Sequence, residues 1–350
     1  MREIEMHDTN GITFLAVAEC GGKTYFSAWG RNGLFELHRD GRADFIMLFD
    51  KYDGESPMHE FAFRIRDTIM FIPSGPENEI AVFTPETRKI EYLKYPASEK
   101  KYTCRPFWGY VSRNNITYLL PNSYDAVLAF DPDSGKFTRY VLPVKSDAFG
   151  EEKWVIINGT TVDETVYFCP WGCSDLISFD LQTLEFKIWG KVKEDTFRHM
   201  FYVDGKLFLI PRILNSAFII YDIQKNTFLE KTMPSGMKGI CICAFADENG
   251  NIYLLPNNES KVWIWNPVLE TLRSIELKIC GGSQKNEVCF NEARDLWGGK
   301  IMSTNLEMLS HLMFDGKEIR LFDISKSDGL FLDILMNMVE NHKGITVYEY

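Results

Sequence analysis

Apolar residues run along this chain in short bursts separated by polar turns, and the bursts recur in sets. From Ile116 to Phe137, ITYLLPNSYDAVLAFDPDSGKF, one apolar run closes on Pro121 and a polar loop follows. A second run ends at Phe130-Asp131, and a third starts after Asp133-Ser134-Gly135. The same arrangement is written again as ETVYFCPWGCSDLISFDLQTLEF, GKLFLIPRILNSAFIIYDIQKNTF and GNIYLLPNNESKVWIWNPVLETL. Short β-branched and aromatic runs bounded by turn formers predict strands, and nothing in these segments follows the 3.6-residue period of a helix.

The prolines that close the equivalent run are Pro73, Pro121, Pro170, Pro211 and Pro256, spaced 48, 49, 41 and 45 residues apart. A period near 45 built of short strands predicts a β-propeller with one four-stranded sheet per repeat. Two degenerate copies extend the series. One is anchored at Ala28 with Asp40-Gly41 as its hairpin turn, the other at Thr304 with Asp315-Gly316. The count is then seven blades.

Each blade needs an inner strand before the anchored one. The candidates are Thr13–Ala18, Phe61–Ile65, Phe107–Val111, Trp154–Asn158, Arg198–Val203, Ile240–Ala244 and Val288–Asn291, with Asp204-Gly205 and Asn249-Gly250 as tight turns. The tail departs from the repeat. Leu330, Phe331, Ile334, Leu335, Met338 and Val339 share one helical face, Gly344 stops the helix, and Ile345–Tyr350 reads as a strand that completes an edge. The expected organisation is an all-β, seven-bladed β-propeller over residues 1–325, and a helix–strand tail over 326–350 packed on it.

The blade phrase, as in IYLLP…VWIWN and TYLLP…VLAFDPDSGKF, resembles the kelch-like and YVTN/WD-like bacterial propeller superfamily. The resemblance covers nearly the whole chain but rests on structural positions. The double glycine of kelch blades and the Trp-Asp dipeptide of WD repeats are missing. It implies the fold and no single activity, because such propellers include binding scaffolds, lyases, cyclotransferases and sugar-active enzymes.

Composition narrows the class. With 45% apolar and 14% aromatic residues in 350, the chain can bury a large core, and a ring of repeats is one domain at this length. A net charge of −11 argues against nucleic acid or an anionic membrane as partner. The first ten residues do not read as a signal peptide, and no apolar run reaches the roughly 20 residues of a membrane span. The eight cysteines are then expected reduced in a cytoplasm, mostly as small buried hydrophobes.

Candidate chemistry sits where second-to-third loops and blade-to-blade loops share one face of the ring. The residues entering successive inner strands include His59-Glu60, Arg105, Lys153-Trp154, Arg198-His199 and Lys238, which stand 13 to 18 residues before their anchors. Arg105, Lys153, Arg198 and Lys238 would converge on one mouth, where cations on an acidic protein point to an anionic ligand. The competing reading pairs each with a neighbouring acid such as Glu151, Glu152 or Glu194, or leaves it in solvent. Trp108 and Trp171, each beside a glycine, are the aromatics expected to add stacking there rather than blade-to-blade packing.

Proton transfer would fall to His59, Glu60 and His199, with Glu287 behind them. No nucleophile–base constellation is legible, and no P-loop, dinucleotide or zinc-protease fingerprint appears. Cys169 and Cys173 lack a second ligand pair, and Cys241, Cys243 and Cys289 read as packing residues, so neither metal nor cofactor is expected. The first expectation is therefore a cytoplasmic binding module whose partner is a protein or an anionic small molecule. The alternative is a lyase or hydrolase acting on an anionic sugar or peptide.

Overall fold

A computed structural model of the chain describes residues 14–28, 31–37, 43–51, 59–75, 78–99, 106–143, 159–169, 175–192, 197–211, 214, 217–234, 237, 241–246, 250–256, 261–276 and 347–349. Within them the chain forms six four-stranded antiparallel sheets, each a simple up-and-down meander. Sheet 1 holds β1 (Phe14–Cys20), β2 (Lys23–Ala28), β3 (Arg31–Leu37) and β4 (Ala43–Met47). Sheet 2 holds β5 (His59–Ile65), β6 (Thr68–Pro73), β7 (Glu79–Thr84) and β8 (Lys89–Lys94). Sheet 3 holds β9 (Phe107–Arg113), β10 (Ile116–Pro121), β11 (Ala126–Asp131) and β12 (Lys136–Val141). Sheet 4 holds β13 (Gly159–Val162), β14 (Thr165–Phe168), β15 (Asp175–Asp180) and β16 (Phe186–Lys191). Sheet 5 holds β17 (Phe197–Val203), β18 (Lys206–Pro211), β19 (Ala217–Asp222) and β20 (Thr227–Thr232). Sheet 6 holds β21 (Cys241–Ala246), β22 (Ile252–Pro256), β23 (Lys261–Asn266) and β24 (Thr271–Glu276). A last strand, β25 (Val347–Glu349), pairs with β9.

The sheets stack face to face in chain order, and the period-2 alternation of a strand explains how one strand serves two neighbours. In β10, Leu119 packs toward sheet 2 with Met70, Ile72 and Tyr110, whereas Tyr118 and Leu120 pack toward sheet 4 with Val166, Phe168 and Ile177. Further apolar cores join sheets 1 and 2, 4 and 5, and 5 and 6. Second and third strands are buried on both sides, so they read as unbroken apolar runs. Fourth strands are outermost, and β8 and β12 alternate between exposed and half-buried positions. First strands lie beside one another, β1 against β5, β5 against β9, β13 against β17 and β17 against β21. On sheet 1 Tyr25 meets Phe83 of sheet 2 at 5.1 Å, so Phe26 points the other way. Phe26 stacks on Phe35 at 5.1 Å there, and both are buried.

Turns explain the sharpness of the meander. Asp204 and Gly205 both have positive φ, as do Asn114 and Asn115, which is the two-residue hairpin geometry that fits strand twist. Between third and fourth strands a polar residue caps the turn. Asp131 accepts from the Asp133 amide at 2.9 Å, Asp180 from Gln182 and Thr183, Asp222 from Lys225, and Asn266 from Val268 and Leu269. On this turn face Arg113 grips the next sheet. Its Nε and Nη2 donate to the two carboxylate oxygens of Glu164 at 2.7 and 2.9 Å, and its Nη1 donates to the Leu181 carbonyl. Arg66 also reaches the next sheet, donating to the Pro132 carbonyl as Arg113 does to Leu181, and to the Asp133 carboxylate.

Several expectations fall outside the described residues. These are the seventh blade around Thr304 with Val288–Asn291, the tail helix from Leu330, the inner-strand span Trp154–Asn158, and the turns at Asp40-Gly41 and Asp315-Gly316. In sheet 4 the described first strand is Gly159–Val162, just beyond the expected span. No helix is present among the described residues.

Candidate functional site

The face carrying the longer loops is the one where second strands end in proline and first strands begin. The register there varies by no more than one residue among the five sheets where it is described. The residue opposite the anchor is Phe14, His59, Phe107 or Phe197, fourteen positions before Ala28, Pro73, Pro121 or Pro211, and Cys241 stands fifteen before Pro256. The next residue is skipped by the ladder in four sheets. Pairing jumps from His59 to Phe61, from Phe107 to Gly109, from Phe197 to His199 and from Cys241 to Cys243. Glu60, Trp108, Arg198 and Ile242 are therefore equivalent bulge residues. A bulge releases its extra residue from pairing and re-aims it, and bulges gather beside functional sites.

This register corrects the expected equivalence of the four cations. Arg198 is a bulge residue, whereas Arg105 lies two positions before Phe107 and Lys238 three before Cys241. Loop lengths vary more than strand pairing does, so counting through loops mixed different positions. Arg105, Lys153, Trp171 and Lys238 lie outside the described residues. Glu60 and Arg198 are placed by their backbone within β5 and β17.

His59 occupies an aromatic slot. Its ring lies 4.4 Å from Phe49 and 5.3 Å from Phe71, fully buried, just as Phe107 in the next sheet lies against Tyr95 at 5.6 Å. Burial penalises the imidazolium and pulls the His59 pKa from 6.5 to about 3, so the ring is neutral at physiological pH. His199 follows its bulge and is also buried, its ring parallel to Phe201 at 6.2 Å. Aligning the sheets on their anchors would have revealed the His59 slot, because Phe14, Phe107 and Phe197 hold the same place.

Trp108 is half-buried against the core between sheets 3 and 4. A Cβ on Gly159 would come within 3.0 Å of the indole Cζ2 and 2.4 Å of the Tyr167 carbonyl oxygen, so the ring fits where the neighbouring first strand has no side chain. The sequence reading also passed over Asp125, a nearly buried carboxylate in the second-to-third loop of sheet 3. Arg139 Nη2 donates to it at 2.8 Å, and the Glu99 amide donates to its other oxygen at 3.0 Å. Arg139 lies over the Tyr124 ring, and Tyr124 donates its hydroxyl to the Pro96 carbonyl. This network ties the loop between sheets 2 and 3 to the mouth. Its signal in the sequence was an acid in a loop closed by apolar residues on both sides.

Cys20 and Cys169 are buried and not joined in a disulfide, and burial raises the Cys20 pKa. No cluster of three or more His, Cys, Asp or Glu that could hold a metal ion occurs among the described residues.

Neither a family nor a curated protein matches the chain by sequence. Solved structures do match. Virginiamycin B lyase from Staphylococcus aureus aligns with 78% of this chain and 86% of its own, at 12% identity and a TM-score of 0.55. BamB from Moraxella catarrhalis aligns with 77% and 78%, at 14% identity and a TM-score of 0.53. A streptogramin B lyase aligns with 79% and 85%, at 14% identity and a TM-score of 0.51. These neighbours are β-propellers, and the likeness supports a β-propeller fold and no particular activity.

Proposed function

We propose that this chain is a seven-bladed propeller working in the cytoplasm as a binding module, which takes an acidic group of a protein or small molecule on its loop-rich face. The observation that carries the reading is the bulge repeated at one point of four first strands, which frees Glu60, Trp108, Arg198 and Ile242 from the ladder beside the mouth. Arg198, with Arg105, Lys153 and Lys238 in or beside the mouth loops, would supply the cationic contacts, and Trp108 and Trp171 the apolar ones. The buried faces of Phe26 and Phe35, turned away from sheet 2, favour a seventh blade closing on sheet 1.

Binding is preferred to proton transfer because His59 is held neutral in an aromatic slot and His199 is buried beside Phe201. The lyase or hydrolase alternative would rest on Glu60 and His199. Native mass spectrometry of the protein drawn gently from its own cells tests the main reading. A bound partner or small mass should be released by high salt and lost in Arg105→Ala/Arg198→Ala. Retention of that mass by the double variant would remove the electrostatic contact.

A further inference from the structure

The strand β25 joins sheet 3 on the far side of β9 from β10, giving the order β12-β11-β10-β9-β25. Val347 stands opposite Tyr110, Tyr348 opposite Val111 and Glu349 opposite Ser112, in parallel register. In a propeller the free edge of a first strand faces the central channel. β9 runs from Phe107, at the loop-rich mouth, to the Arg113 hairpin on the turn face. A parallel partner runs the same way, so β25 is directed from the mouth side toward the turn face. The tail's sequence, Thr346-Val347-Tyr348-Glu349-Tyr350, is rich in β-branched and aromatic residues that favour extended chain. Among the described residues, β1, β5, β13, β17 and β21 carry no such added strand.

We propose that the channel-side edge of β9 is an acceptor for an extended peptide, filled in cis by residues 347–349, and that a partner's proline-free, β-branched and aromatic segment adds there in their place. An unpaired strand edge offers a row of N–H and C=O groups, and strand addition draws its affinity from that row. The tail is then an internal competitor for that edge, lying along Tyr110–Ser112. This acceptor needs none of the cations, so it survives or fails independently of the anion reading.

The test uses the full-length chain and a full-length Val347→Pro/Tyr348→Pro variant. Proline lacks the N–H, and two consecutive prolines disrupt pairing in either phase of the strand. The probe is a fluorescein-labelled synthetic peptide of residues 343–350. A tethered segment acts at an effective concentration on the order of millimolar, so disabling it should tighten the peptide's apparent affinity by roughly tenfold or more. Amide exchange across Tyr110–Ser112 should quicken in the variant and slow again when the peptide is added. Equal exchange in the two chains would show that the tail does not pair with β9 in solution. A peptide that binds neither chain, or both equally, would overturn the acceptor edge even where exchange differs.

Discussion

The fully buried imidazole of His59 gives the sharpest stability test. In the folded chain its pKa is pulled down to about 3, against 6.5 for the unperturbed group. A depressed histidine pKa means the unfolded chain binds the proton more tightly. Stability linked to His59 is therefore complete above pH 6.5 and is lost as pH falls from there toward 3. Each unit in that window costs about 1.4 kcal/mol, so moving from pH 7 to pH 4.5 should cost about 2–3 kcal/mol through this residue alone. Phe107 and Phe197 hold the equivalent place in sheets 3 and 5, which makes His59→Phe a substitution the fold already accommodates.

At pH 7 the variant should lie within about 1.5 kcal/mol of the native chain, as shape-conserving core changes do. At pH 4.5 it should be the more stable of the two by about 2–3 kcal/mol relative to that starting difference. Urea denaturation at both pH values, read by circular dichroism, isolates the effect, because every other titrating group is common to the two proteins. Parallel loss of stability in the two proteins would mean that His59 is protonated within the fold. The aromatic-slot account would then be wrong, and the residue would return as a candidate acid.

Two further changes probe the joints between sheets. Arg113→Ala should cost about 1–2 kcal/mol, because a two-pronged grip on half-exposed Glu164 and a bond to the Leu181 carbonyl are lost together, and Arg113→Lys should restore less than half. Full rescue by lysine in urea titrations would reduce the contact to simple charge. Gly159→Ala places a Cβ 2.4 Å from a backbone oxygen and against Trp108, so about 2–3 kcal/mol should be lost with a change in near-ultraviolet dichroism. An unchanged melting temperature would mean that β13 and β14 are less closely apposed than described.

The six sheets were legible because their punctuation is physical. A proline cannot extend a ladder for lack of an N–H, so it marks where each second strand stops, and β6, β10, β18 and β22 all end on one. Strand length and burial on two faces then follow from uninterrupted apolar runs such as Ile116–Pro121. First strands were harder, since their starts are fixed by pairing with a distant anchor and not by any local signal. That is why loop counting spread the cations over 13 to 18 positions while the paired register is fourteen in four sheets and fifteen in sheet 6. His59 was read as a titratable loop residue because its two aromatic neighbours come from the connection after β4 and from β6, on either side of it in the chain. The pairing of β25 with β9 joins residues more than two hundred positions apart, and only its strand character could be read locally.

The first strands reconcile two demands that would otherwise conflict. Their opening residue must fill the core between sheets, and in three sheets it is an aromatic ring: His59, Phe107 and Phe197. A channel mouth instead needs residues free to vary without disturbing that core. Regular alternation would send the following side chain into the opposite core, where its size and polarity would be fixed by packing. The bulge takes that residue's backbone out of the ladder, although the one such side chain that is described, Trp108, still packs half-buried against the core between sheets 3 and 4. Its occupants, Glu60, Trp108, Arg198 and Ile242, include an acid, an aromatic, a base and an aliphatic. Such diversity at one register position, beside near-uniform ring packing one residue earlier, is what a binding surface laid over a fixed scaffold requires. Replacing Glu60 or Arg198 should therefore alter recognition while leaving the melting temperature nearly unchanged, and equivalent changes at Phe107 should do the reverse.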